Sequence, residues 1–234
     1  MKMKNKKAEE ITRRLEQKVA LKAEKERRKN SFQLKRDSPD RVEKPTILIV
    51  CEGKNTEPDY FNQFKLSSAT VKIVGTGHNT VSLVEYANRL NIKRKYDQVW
   101  CVFDKDDFLN FNNAIQKAQN LGFKTAWSNQ AFEYWLLLHF EDHQGGAMNR
   151  EDYYDKINTY LKPLGVVYDR YDKKISDRFF DVLQAKHSKE AKKRQDLAIT
   201  RAKRNVDFHD NNTPAESESC TMVYLLVEEI LNYS

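Results

Sequence analysis

Residues 47–61 read ILIVCEGKNTEPDYF. Five apolar residues, Ile47 to Cys51, run straight into Glu52, then a glycine, a lysine and a helix start. A short β-branched run bounded by turn residues is a buried strand, here 46–51. Thr56 is placed to cap the helix that follows. Asp59 completes a near capping box, and Pro58 suits the first turn. A buried strand that ends on a bare carboxylate needs a reason, and the rest of the chain supplies candidates.

The same rhythm repeats downstream. TVKIVG (70–75) reads as a second strand. Asn79 or Thr80 then caps a helix with Val81, Leu83, Val84, Ala87 and Leu90 as its apolar positions. DQVWCVFD (97–104) is a third strand, and Phe111, Ile115 and Ala118 line a helix that stops near Gly122. FKTAWS (123–128) is a fourth strand, followed by a strongly apolar helix over 129–140. Strands alternating with helices predict an α/β fold, a mostly parallel sheet with helices on both faces. Beyond 142 the pattern weakens. Residues 151–163 read as helix, 185–205 as a basic helix, 209–219 as a polar loop and 220–231 as a closing amphipathic helix. The expected organisation is a basic arm (1–44, helical or partly disordered), an α/β core (45–142) and a mainly helical part (143–234) packed on that core.

Charge is unevenly placed over the 234 residues. The formal net charge is +7, with 39% hydrophobic and 32% charged residues. Residues 1–44 hold 16 Lys and Arg against 8 Asp and Glu, so the surplus lies wholly in the arm. Ile11, Leu15, Val19 and Leu21 give that arm only a thin apolar stripe. A basic arm suits nucleic acid or another polyanion, and it equally suits a solubilising tail. Three cysteines, Cys51, Cys101 and Cys220, show no metal-ligand spacing and argue against a disulfide framework. No run approaches the roughly 18 apolar residues of a membrane span. No signal-peptide apolar region is visible, so a cytoplasmic protein is expected.

In open α/β sheets the active site lies outside the carboxyl ends of the strands. The first strand ends at Glu52, and the third ends in FDKDD, giving Asp104, Asp106 and Asp107. If these strands are neighbours, the acids converge. Carboxylate clusters suit Mg²⁺ or Mn²⁺, which support phosphoryl chemistry. Acids at strand ends also arise as caps or solvated loop residues.

Strand–EG–helix, followed by strand–DxD, resembles the Toprim domain of primases, type IA and II topoisomerases and OLD-type nucleases. The wider set CEGKNTEPDYF, VFDKDD and SNQAFEYWLLLHF is similar to the RloB-like family: bacterial, Toprim-related proteins of phage defence, often beside an AAA-type ATPase. The resemblance implies a Toprim-like, Rossmann-like sheet. It gives Glu52, Asp104 and Asp106 as catalytic and metal-binding acids for Mg²⁺ or Mn²⁺. Gln130 stands where the family pattern expects a proline. Lys54 adds a point charge, and Asp107 and Glu133 are further candidates around the metal. Glu133 is equally readable as half of a buried ion pair.

Other features have plainer readings. His139 shares a helix face with Phe132, Trp135, Leu136 and Phe140 and belongs to the core. Asn129 suits a helix cap. GTGHNT (75–80) lacks a full phosphate-binding pattern and reads as a loop. Lys192, Lys193, Arg194, Arg201, Lys203 and Arg204 would track a nucleic-acid backbone or form a solvated face. The function expected is a metal-dependent nuclease in anti-phage defence, cutting DNA or RNA, tRNA included, with an ATPase partner and a homo-oligomer both in view. The alternative is a non-catalytic nucleic-acid-binding or ATPase-partner subunit with a structural metal.

Overall fold

The computed structural model describes residues 13–26, 44–105, 110–188, 190–209 and 212–234. These fall into two units, Met1–Glu43 and Lys44–Ser234. In the first, helix α1 covers 13–26 and is exposed along its length, with Leu15, Val19 and Leu21 open to solvent. Ile11 of the apolar stripe lies outside the described residues.

The second unit runs β1 (Thr46–Cys51), α2 (Thr56–Asn62), β2 (Thr70–Gly75), α3 (Thr80–Lys93), β3 (Gln98–Asp104), α4 (Phe111–Asn120), β4 (Lys124–Asn129), α5 (Glu133–Leu138), α6 (Arg150–Leu161), α7 (Asp177–Gln184), α8 (Arg194–Phe208), β5 (Cys220–Thr221) and α9 (Val223–Leu231). The sheet order is β2-β1-β3-β4-β5, parallel except for β5 on β4. This is the expected α/β, Rossmann-like architecture.

Strand periodicity divides the core. Leu48 and Val50 on β1 pack with Val99, Cys101 and Phe103 of β3 under α3 and α4. Ile47, Ile49 and Cys51 face the other way, with Trp100 and Val102, against a larger cluster built by α2 and by α5 to α9. Successive side chains of a strand point to opposite faces, so a continuous apolar run is what a two-sided sheet requires. Each buried Leu, Ile or Val contributes about 1.5–3 kcal/mol by leaving water. All three cysteines are free and buried. Residues of 143–234 enter the same core as β1, so residues 44–234 form one compact unit.

Several local expectations are corrected. Thr56 is the first residue of α2 rather than its cap. Its hydroxyl instead meets Tyr168 Oη at 2.9 Å and donates to Lys173 O at 2.9 Å. Asp59 accepts from Ile175 N–H at 3.4 Å and makes no capping box. Asn129 ends β4 and ties down the chain at Pro214 and Ala215 through its amide. The apolar helix therefore starts at Glu133, and residues 131–140 are buried on every side. Cys220 and Thr221 form the added strand β5, and the last helix begins only at Val223. The basic helix runs 194–208, not 185–205, because Lys186 and Lys193 bridge before it. Asn79, of the two candidates, caps α3 by accepting from Ser82 N–H. His139 is a core residue, bonded through Nδ1 to Trp135 O at 3.0 Å, with burial pulling its pKa down to about 3.

Candidate active site

The chain leaves β1 toward β2 on one side, and β3 lies on the other. That reversal of strand order opens a crevice at the carboxyl ends, where ligands of such sheets bind. Glu52 N–H donates to Val102 O at 2.9 Å, extending the β1–β3 ladder one residue past β1. Its side chain then accepts from Asp104 N–H at 3.2 Å. The two acids read from the ends of separate strands are therefore neighbours in space. Asp106 and Asp107 lie outside the described residues.

A cavity of about 460 Å³ opens here, lined by Glu52, Lys54, Glu57, Asp104, Glu133, Arg150 and Lys173 among others. Glu57 is the acid that sequence reasoning missed. It is 5% exposed and accepts from Gly53 N–H at 3.2 Å. A Cβ at residue 53 would lie 2.0 Å from Glu57 Oε2, so only glycine lets this carboxylate fold back over the turn. The glycine that follows Glu52 thus makes room for a second acid. Gly77, at φ +67°, lies under Lys54: a Cβ there would meet Lys54 Cε at 2.5 Å.

Glu133 also lines the cavity, on the first residue of α5. Its Oε1 accepts from Tyr154 Oη at 3.1 Å and Tyr168 Oη at 2.9 Å. Its Oε2 is buried with no hydrogen-bond partner among the described residues. Asp104 receives Arg150 Nη2 at 3.5 Å.

The electrostatics follow from this crowding. Burial pushes the Glu52 carboxyl up to about 7. Asp104 N–H opposes the shift, Glu57 adds to it and Arg150 opposes it. Burial, with Glu133 nearby, likewise takes Glu57 to about 7, against the pull of Gly53 N–H and Lys173. Asp104 is held well above the ordinary carboxylate range by burial and by Glu57, with Arg150 opposing. Acids that repel one another in a half-closed cavity ionise reluctantly until a cation arrives.

The donors are hard carboxylate oxygens, and one buried oxygen of Glu133 lacks a partner among the described residues. Both features fit a hard divalent ion. Among the described residues no three His, Cys, Asp or Glu side chains already stand as a metal-holding group.

The basic residues expected to bind nucleic acid are largely used within the fold. Arg201 is 7% exposed, donates to Leu138 O at 2.7 Å and pairs with Glu190 at 3.3 Å. Arg204 pairs with Asp142 at 2.7 Å and Lys203 with Glu228 at 2.6 Å. Arg194 donates to Val182 O and lies over the Phe140 ring. Lys193 precedes α8, and Lys192 lies in the exposed segment before it. Arg201 is therefore an internal tie rather than a surface cation.

Glu57 had a local signal, since it lies within the opening stretch, five residues after Glu52. Arg150 and Lys173 had none, because they arrive about a hundred residues later and depend on how α6 and the turn at 169–174 dock.

No curated protein and no solved structure matched this chain. Among the described residues no helix is long and apolar enough to cross a membrane. A family model described as RloB-like protein matches residues 47–230, which takes in both acid-bearing strands and the helices through most of α9. The chain belongs to the RloB-like protein family.

Proposed function

We propose that this protein is a metal-dependent nuclease of Toprim type, hydrolysing phosphodiester bonds of DNA or RNA. The observation that carries the reading is the convergence of Glu52 and Asp104 from adjacent parallel strands, in a cavity where both ionise reluctantly. Glu52 and Asp104 would hold Mg²⁺ or Mn²⁺, with Asp106 as a further ligand. The ion supplies charge neutralisation at the phosphate and an activated water. Glu52 either completes the metal shell or, left off the ion, accepts a proton; in the metal-free site burial holds its pKa at about 7. Arg150 keeps Asp104 oriented, and Lys54 offers a positive charge in the same cavity. The resemblance of motifs supports anti-phage defence as the setting and an AAA-type ATPase as partner.

The test is cleavage of supercoiled DNA, single-stranded DNA, total RNA and tRNA with Mg²⁺ or Mn²⁺, with and without an AAA-type ATPase of the kind that the motif resemblance implies. Wild type is expected to cut one of these, and Asp104→Ala to cut none. Tight binding without cleavage under every condition would leave the non-catalytic binding subunit as the function.

A further inference from the structure

Lys173 occupies the cavity by an unusual route. It has φ +52°, in the left-handed region that side-chain-bearing residues avoid and glycine or asparagine tolerates. The conformation is enforced from both sides. Lys173 N–H donates to Asp169 O at 2.8 Å, and Asp169 Oδ1 gathers Tyr171 N–H at 2.6 Å and Asp172 N–H at 3.1 Å. The turn is also sewn to the loop after Glu52: Asn55 Nδ2 donates to Asp172 O at 2.9 Å, and Thr56 Oγ1 donates to Lys173 O. Its neighbours Asp172 and Lys174 pair with each other in solvent at 2.9 Å. Lys173 alone of the three enters the cavity. Strain held by surrounding structure marks functional positions when the strained residue reaches into a site.

Among the described residues the ammonium that arrives there has no ion-pair partner. Its Nζ lies 5.7 Å from the Tyr154 ring centre, and Tyr154 and Glu133 favour its charged form. Burial pulls its pKa down, but those two neighbours outweigh burial, so it stays charged. Arg150 is engaged with Asp104. The cavity thus holds a charged lysine, set among acids and ready for an anion.

We propose that Lys173 grips a phosphate of the nucleic-acid substrate, in the cavity that also holds the Glu52–Asp104 pair. The assignment rests on the nuclease reading and adds the residue that binds the backbone. The competing role is structural: Lys173 as a distant counterion that makes buried Glu133 tolerable.

The experiment uses the full chain and labelled single-stranded DNA, duplex DNA, single-stranded RNA and tRNA, with Ca²⁺ in place of Mg²⁺ so that binding is read without cleavage. Wild type, Lys173→Met, Lys173→Arg, Glu133→Gln and the Glu133→Gln/Lys173→Met double variant are compared by anisotropy across salt and by melting. Lys173→Met should bind about tenfold more weakly, as removal of one charge-assisted hydrogen bond predicts. Its log–log salt slope should fall by about 0.7–0.9. Lys173→Arg should retain most of the affinity, and the weakening should persist in the Glu133→Gln background. In cleavage, KM should rise more than kcat falls. Wild-type affinity and slope in Lys173→Met, with a lower Tm that Glu133→Gln restores, would make the lysine a counterion only and overturn the assignment. Wild type that binds none of these nucleic acids would sink the nuclease reading and this assignment with it. Wild type that binds, beside an unaltered Lys173→Met, sinks the assignment alone.

Discussion

Helix α8 and the cavity at the ends of β1 and β3 both concentrate charge, and they dispose of it in opposite ways. On α8 the cations find partners within the chain, Arg201 in the interior on Leu138 O and Glu190, Arg204 and Lys203 at the surface on Asp142 and Glu228. In the cavity the acids crowd one another, and one oxygen of Glu133 has no partner among the described residues. A charge answered by the fold stabilises or orients it. A buried charge left under-compensated carries a desolvation cost that a ligand can offset. Residue type alone does not separate the two cases, since both regions looked functional in the sequence.

The sharpest break in the comparison comes from the acids. Glu52→Gln and Asp104→Ala should each lower cleavage by about 10²–10⁴ or more, because they remove a proton acceptor or a metal ligand. Both should fold, since each relieves like-charge repulsion. Full activity in Asp104→Ala would move the chemistry elsewhere.

Next in size is a pH effect on metal-free protein. Glu57 has a folded pKa of about 7 against an ordinary value of 4.5. Between these values the folded chain keeps a proton that the unfolded chain has released. Wild-type stability should therefore fall as pH rises from about 4.5 to about 7, then level off. Glu57→Gln cannot ionise, so it should gain on wild type across that window, reaching on the order of 3 kcal/mol by about pH 8. Added Mg²⁺ or Mn²⁺ should close the gap by stabilising wild type. Urea melts at several pH values, with and without metal, read this directly. A constant difference across pH would show that Glu57 is already compensated.

Arg201→Ala should destabilise by about 2 kcal/mol, because it strands Leu138 O and leaves Glu190 without this partner. Oligonucleotide affinity should stay near wild type. A large drop in affinity with an unchanged Tm would return α8 to the binding surface. Lys203→Ala removes an exposed pair and should cost less than about 1 kcal/mol.

The smallest expected effect concerns the arm. Deleting residues 1–36 removes the basic surplus and leaves every residue of the 44–234 unit in the chain. For every phosphate the arm neutralises, its deletion should reduce the log–log salt slope of binding by about 0.7–0.9 while Tm stays put. An unchanged slope with a lower Tm would make the arm a structural element instead.

The sequence by itself determined what contiguous residues can encode. Apolar and β-branched runs placed β1 to β4 nearly to the residue; β1 and β3, buried on both faces, are apolar almost throughout, while the edge strand β2 is only partly covered. Glu52 and Asp104 were legible because each stands at the carboxyl end of such a run. The tertiary structure decided the rest. It set β1 beside β3, turned Glu57 back over Gly53, and carried Arg150 to Asp104 and Lys173 to Glu133, each some forty or more residues earlier in the chain. It also turned Arg201 inward, although nothing distinguishes that arginine from its neighbours along α8. Hydrophobic periodicity is a local property of the chain. Whether a charge is satisfied depends on which distant backbone and side chains close around it, and that becomes definite only when the core has packed.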